Sequence, residues 1–290
     1  MIHAVHHVAM ESPDPVAALD AFADFMGGVV YADARGAWLV GPNAFVRAER
    51  GSAPEVAPVH ARGIAHVCVQ ARDPAAARSR LERNGVGYLS EPVALGTGFH
   101  YAYARDREGR LLELETAPFL VNDPQGWFAH VAFVVRDLDR MATFYGAVCG
   151  GELRTGGPYR NNPRIDQVAG LTGVDVDVRW IVGANLTLEF WRYNAPAISA
   201  ECRHTAWRHL AFACADPQAM KAKAIAAGAA PDDPPAWRDA WGAVAAVRDP
   251  EGNRIVFVAP VDPLLSIESL RAPDLLARIA RARSKAAQRE

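Results

Sequence analysis

The chain has 290 residues, half of them hydrophobic, and 31 basic side chains against 33 acidic ones give a net charge of −2. That is enough apolar material for a large core in about two domains of roughly 150 residues each. The balance of charge, with no basic patch interleaved with aromatics, argues against a nucleic-acid partner. Cys68, Cys149, Cys202 and Cys214 are scattered without CxxC spacing. No disulfide framework is expected, and a cytoplasmic location fits. The opening MIHAVHHVAM has no basic region followed by an apolar core, so it does not read as a signal peptide. No apolar run approaches the ~20 residues of a membrane span.

In chain order, one pattern recurs four times: His, apolar residues, then Asp seven positions later. The copies open on His7–Asp14, His66–Asp73, His130–Asp137 and His209–Asp216. Each Asp precedes a helical stretch. Its carboxylate suits the N-cap, and Pro15, Pro74 and Pro217 suit the first helical position. Gly27, Gly85, Gly150 and Gly228 suit the stop. Short β-like runs follow each helix: GAWLVG and NAFVRAE, FHYAYARD and RLLELET, VDVRWIVG and NLTLEFW, GAVAAVRD and NRIVFVA. The turns Asp106–Gly109 and Asp249–Gly252 have the same offset as His66 and His209, 143 residues. A duplicated two-copy half follows from that coincidence.

Each copy is therefore βαβββ. One copy cannot cover its own apolar sheet face, so copies must pair. The expected architecture is α+β: four βαβββ modules paired into two cup-shaped mixed-sheet half-barrels. The expected domains are 1–120 (copies one and two) and 125–262 (copies three and four), with a helical tail over 263–290. The linker is placed at 118–126. In the tail, Leu275, Leu276 and Ile279 fall on one helix face. The polar stretch TGGPYRNNPRIDQVAGLTG in copy three reads as a loop, either over a pocket or as a plain surface insertion.

The HVxxxxxD openings and the RDPEGNRI-type turns resemble the vicinal oxygen chelate superfamily, which includes glyoxalase I, extradiol dioxygenases, methylmalonyl-CoA epimerase and the bleomycin resistance proteins. The resemblance covers about residues 3–260. It implies one divalent metal in a cup, held by residues of the opening and closing strands of each module. Mapped onto this chain, the ligand candidates are His7, His66 and Glu113 in the first half and His130, Glu189 and His209 in the second. In copy one the closing position falls on Arg47, and in copy four on Val256. His6 neighbours His7 but faces the other way by strand alternation. Extradiol enzymes of the superfamily take their glutamate from the final module, where this chain has Val256, so the half that works is left open. Tyr103, ten residues before Glu113, is the candidate catalytic phenol and favours the first half. Arg47 is a candidate to attract an anionic group or to pair with a ligand carboxylate, and more simply a rim ion-pair residue.

Two imidazoles and one carboxylate form the facial set of non-haem Fe(II) oxygenases. Fe(II) is the leading cofactor, with Mn(II), Co(II), Ni(II) and Zn(II) compatible. The leading functional expectation is an extradiol-type ring-cleaving dioxygenase acting on a catecholic or vicinal-oxygen small molecule. The alternative is a glyoxalase- or epimerase-type isomerase or lyase, with Glu189 as ligand or base. The third is a drug-sequestering binding protein. A small-molecule substrate is the expected partner, and a homodimer is left open.

Overall fold

The computed structural model describes residues 2–116, 125–199, 207–234, 242–279 and 281. Most of the expected linker, Cys202 and the end of the tail lie outside them. Copy one comprises β1 (Ile2–Ser12), α1 (Pro15–Met26), β2 (Val29–Asp33), β3 (Gly36–Val40) and β4 (Phe45–Arg50). Copy two comprises β5 (Gly63–Ala71), α2 (Pro74–Arg83), β6 (Gly87–Tyr88), β7 (Val93–Ala94), β8 (His100–Arg105) and β9 (Leu111–Thr116). Copy three has β10 (Gly126–Val134), α3 (Leu138–Cys149), β11 (Glu152–Tyr159), α4 (Pro163–Ala169), β12 (Asp175–Val182) and β13 (Thr187–Ala195). Copy four has β14 (Trp207–Cys214), α5 (Pro217–Ala226), β15 (Ala230–Asp232), β16 (Gly242–Arg248) and β17 (Arg254–Pro260).

The four repeat helices begin where the aspartates place them. The carboxylates of Asp14, Asp73, Asp137 and Asp216 accept from the amides of Ala17, Ala76, Arg140 and Ala219 at 3.0–3.2 Å. Each such cap contributes about 1 kcal/mol. Gly27 closes α1 in the left-handed region, at φ 62°.

Two open mixed sheets result. In both, an opening strand runs parallel to the closing strand of its own copy and antiparallel to the opening strand of another. The partners differ from the consecutive pairing expected of the sequence. Copies one and four form the eight-stranded sheet β15-β16-β17-β14-β1-β4-β3-β2, and copies two and three form the nine-stranded sheet β11-β12-β13-β10-β5-β9-β8-β6. All four opening strands share one apolar pattern, so any two satisfy the same edge. The choice between them is made by contacts remote in the chain.

Asn43 and Asn185 make such contacts. Both are fully buried in matching tight turns, GPNA and GANL. Asn185 exchanges hydrogen bonds with the backbone of Val5 at 2.8–2.9 Å, and Asn43 with that of Phe128 at 2.8–3.1 Å. Each amide also donates to the other's carbonyl, at 2.7 and 2.9 Å. The two sheets are thereby tied across the main core. That core takes Val8, Val67, Val131 and Leu210 from the opening strands and Phe22, Leu81, Phe144 and Met220 from the helices. The residue before each of those strand positions, His7, His66, His130 and His209, turns to the opposite sheet face; in β1 a bulge between Val5 and His7 brings His6 beside His7, their Nδ1 atoms 2.7 Å apart, so the two do not face apart as alternation predicts.

The polar stretch of copy three is not a plain loop. It forms β11 and α4, with Asn162 capping, Pro163 at the first position and Gly170 closing at φ 64°. After β17 the chain makes two 3-10 turns, Pro263–Leu265 and Ile267–Ser269, and residues 275–279 are helical. Leu275 and Ile279 pack with Phe99 and Trp127, and Leu276 against them, as the helix-face reading requires. Among the described residues no helix is long and apolar enough to cross a membrane.

Candidate metal centre

The ladder register confirms the alignment of closing positions. Two residues after each opening histidine, Ala9 faces Arg47, Cys68 faces Glu113, Ala132 faces Glu189 and Ala211 faces Val256. Because copies two and three share a sheet, four candidates converge: His66, Glu113, His130 and Glu189. One donor atom of each lies within 4.8 Å of all the others, and all four side chains are buried. Glu113 Oε2 is 3.1 Å from His66 Nε2 and 2.9 Å from His130 Nε2. The two imidazole nitrogens are 3.4 Å apart, and Glu189 Oε2 is 3.2 Å from His130 Nε2 and 3.8 Å from His66 Nε2.

These donors fit a divalent cation. Bonds of about 2.0–2.2 Å to nitrogen and carboxylate oxygen put neighbouring donors about 3.0–3.5 Å apart, close to the spacings above. Glu189 Oε1 accepts from Trp180 Nε1 at 2.7 Å, whereas its buried Oε2 accepts no hydrogen bond. A buried carboxylate oxygen that accepts no hydrogen bond is costly unless positive charge meets it. The electrostatics agree. Burial pushes against ionisation of Glu113, but His130 and His66 hold its carboxyl down at about 2. Burial likewise opposes charge on His130, yet Cys68 and the carboxylates of Glu189 and Glu113 outweigh it and raise its pKa. The cluster therefore draws positive charge.

Tyr103 faces Glu113 across the β8–β9 ladder, and its ring centroid is 5.0 Å from that of His66. Burial, then the Glu113 charge, pushes its phenol well above 10. Glu115, Cys68 and Trp180 were not singled out by the sequence reading. Glu115 follows Glu113 by two positions on the same strand face, a signal that alternation alone offers. Its Oε1 is 4.0 Å from His130 Nδ1, and its other oxygen accepts from Gln70. Burial raises the Glu115 carboxyl to about 7. A cavity of about 820 Å³ opens over the cluster, with Glu113, His130, Glu189 and Tyr103 in its wall. Helix α4 contributes Ile165 and Val168 to that wall, so the copy-three insertion covers the pocket.

The triads grouped by halves are not what the fold assembles. His7 and His209 lie in the other sheet, with their Nε2 atoms 3.1 Å apart. No carboxylate joins them in a cluster of three or more donors among the described residues. Arg47 does not reach the His/Glu cluster either. It is wholly buried beside Trp38, its guanidinium 5.1 Å from the ring centroid, and it pairs with Asp33 at 2.7 Å. Burial, then the charges of His6, His209 and Arg47, drives the His7 pKa well down, and burial with Arg254, Arg208 and Arg47 takes His209 to about 3. Leu265 and Leu270 of the C-terminal segment fill this cup against Trp38, Phe45 and Val256.

Residues 130–258 match the model of the glyoxalase-like domain. Glyoxalase I from Zea mays superposes with a TM-score of 0.67 at 17% identity, over 92% of this chain and 96% of that one. A putative dioxygenase from Bacillus subtilis superposes with a TM-score of 0.60 at 13% identity, over 97% and 96%. No curated protein sequence matches significantly. Residues 130–258 thus form a glyoxalase-like domain, and the chain as a whole shares the fold of glyoxalase I.

Proposed function

We propose that the chain is a metal-dependent isomerase or lyase that moves a proton on a carbon between vicinal oxygens, the reading held second on sequence alone. The donor count carries it. Beside four protein donors, a six-coordinate ion would keep two free positions, enough for the two oxygens of a substrate. The facial set of an oxygenase keeps three, enough for two substrate oxygens and O2.

His66, His130 and Glu113 are the fixed donors, each on a different strand of one sheet. A divalent ion there supplies Lewis acidity, which acidifies a C–H bond beside a carbonyl. Glu189 would be the fourth donor of the resting site and, once released from the ion, the base. Trp180 steadies one oxygen of its carboxylate, and the other faces the cluster, poised to take the proton and return it to the neighbouring atom. Tyr103 keeps its proton at neutral pH and donates a hydrogen bond to a substrate oxygen. The apolar cavity wall limits water at the reacting carbon. The Trp180 bond also favours a second reading: were it to hold Glu189 off the ion, the remaining two imidazoles and one carboxylate would be the oxygenase set.

The test is anaerobic loading with Ni(II), Co(II), Zn(II) or Fe(II), followed by exchange of substrate C–H in D2O. Exchange without oxygen uptake is expected, and Glu189→Gln is expected to lower it by about 10²–10⁴-fold while metal stays bound. Oxygen consumption by the Fe(II) form with a catechol panel, without exchange, would replace this reading by the oxygenase.

A further inference from the structure

The cavity above the cluster sorts its contents by charge. Its deep wall carries three carboxylates, Glu113, Glu115 and Glu189. Glu113 and Glu189 alone balance the charge of one divalent ion, so the set offers no net positive charge. Among the described lining residues the basic side chain other than His130 is Arg154, which stands at the exposed rim with both its Nε and Nη2 donating to the Glu152 carboxylate at 2.9 Å. No described cation is therefore placed to receive a carboxylate or phosphate of a bound molecule inside the cavity. Away from the ligands the wall is aromatic and aliphatic: Phe99, Tyr101, Ile165, Val168, Leu276 and Ile279.

Leu276 and Ile279 lie past the end of the glyoxalase-like domain, at residue 258. They belong to the C-terminal segment, docked on Phe99 and Trp127 through Leu275 and Ala272. The volume of about 820 Å³ is that of a drug-sized site. A small triose-like compound would leave most of it unfilled.

We infer that the substrate is a neutral, largely apolar molecule of aromatic size bearing vicinal oxygens, and that Leu276 and Ile279 of the C-terminal segment form the surface against which its apolar end packs. The vicinal oxygens rest on the reading proposed above; the charge and size of the remainder rest on the cavity wall alone. The arrangement excludes anions because no described side chain inside the cavity is placed to pair with their charge. It selects apolar bulk through a wall that the C-terminal segment completes.

Calorimetry with the metal-loaded full-length protein tests this through binding, without turnover. The probes are benzoin, a neutral hydroxyketone with two rings, and benzoin 4,4′-dicarboxylate, the same skeleton with two charges. Benzoin is expected to bind at least tenfold more tightly. Leu276→Ala with Ile279→Ala is expected to weaken benzoin about three- to tenfold, with metal content and circular dichroism unchanged. Equal or tighter binding of the dicarboxylate, no binding of either probe, or an unchanged benzoin affinity in a folded double variant would overturn the inference. Benzoin that binds as expected but exchanges no proton would refute the proposed reaction and leave the substrate class standing. Exchange on the dicarboxylate alone would do the reverse.

Discussion

The two sheets are built from the same repeat and have opposite chemistry on their inner faces. In the cup of copies two and three, two imidazoles meet two carboxylates under an open cavity. In the cup of copies one and four, the same opening histidines meet Arg47 and Val256, and Leu265 and Leu270 occupy the space. In the first cup neighbouring negative groups outweigh burial and raise the pKa of His130; in the second, burial and then neighbouring positive charges depress His7 and His209. Opening histidines alone therefore do not make a metal centre. The closing position separates the two cups: a carboxylate there completes a set of candidate donors, and a guanidinium or an alkyl group leaves the cup without one.

The sharpest way to break this comparison is to remove one histidine from each cup. His66→Ala is expected to lower metal affinity by at least about 10²-fold, the upper range seen when only a supporting partner is lost. His209→Ala is expected to leave metal content, read by mass spectrometry, at the wild-type level. The reverse outcome would transfer the site to the other sheet. Next in size is Leu270→Ala, which empties part of the filled cup. A loss of about 2–4 kcal/mol in denaturant unfolding is expected, with proton exchange in the open cup retained.

Acid separates the cups further. The folded-state pKa values of His6 and His209 are depressed, to about 4 and about 3, chiefly by burial. Both histidines are neutral when folded, so their contribution is fully present above the unfolded value near 6.5 and declines as pH falls toward those values. His130, raised, gives a flat contribution below 6.5, and Glu113, depressed, acts only below about 4.5. Between pH 6.5 and 5 the filled cup loses stability while Glu115 of the open cup, raised to about 7, gains it on protonation. In that window each buried histidine is expected to cost the metal-free protein about 1–2 kcal/mol, read as the difference between wild type and His209→Asn in Tm against pH. The smallest effect sharpens the open cup: Trp180→Phe frees Glu189 Oε1 and is expected to slow exchange about tenfold without changing fold stability by more than about 1 kcal/mol.

Much of this was legible in the sequence because it is local. Asp14, Asp73, Asp137 and Asp216 announce their helices through one carboxylate and the next few amides. The alignment of Arg47 with Glu189, and of Val256 with Glu113, needed only two landmarks per copy, and the ladder register agrees with it. The choice of partners was not legible, because four strands with one pattern compete on equal terms until Asn43, Asn185 and the helices have found their places. Hence His7 and His209 were grouped with carboxylates they never meet. Helix α4 was legible and overlooked: Asn162, Pro163 and Gly170 repeat the cap, proline and glycine grammar of the longer helices within a seven-residue helix. The filling of one cup by Leu265 and Leu270 had no local signal, since their apolar character says only that they are buried somewhere.

The donors are distributed evenly about the junction between the second and third copies: His66 and Glu113 precede it, His130 and Glu189 follow it. Each sheet likewise takes one opening strand from either side. A chain cut between residues 116 and 125 would yield two polypeptides, each with half a chelate and two half-sheets. Their reassembly would be driven by strand pairing and tightened by the ion, so a chelator would lower the affinity between the fragments. Two pieces of one protein would thus behave as subunits riveted by a metal.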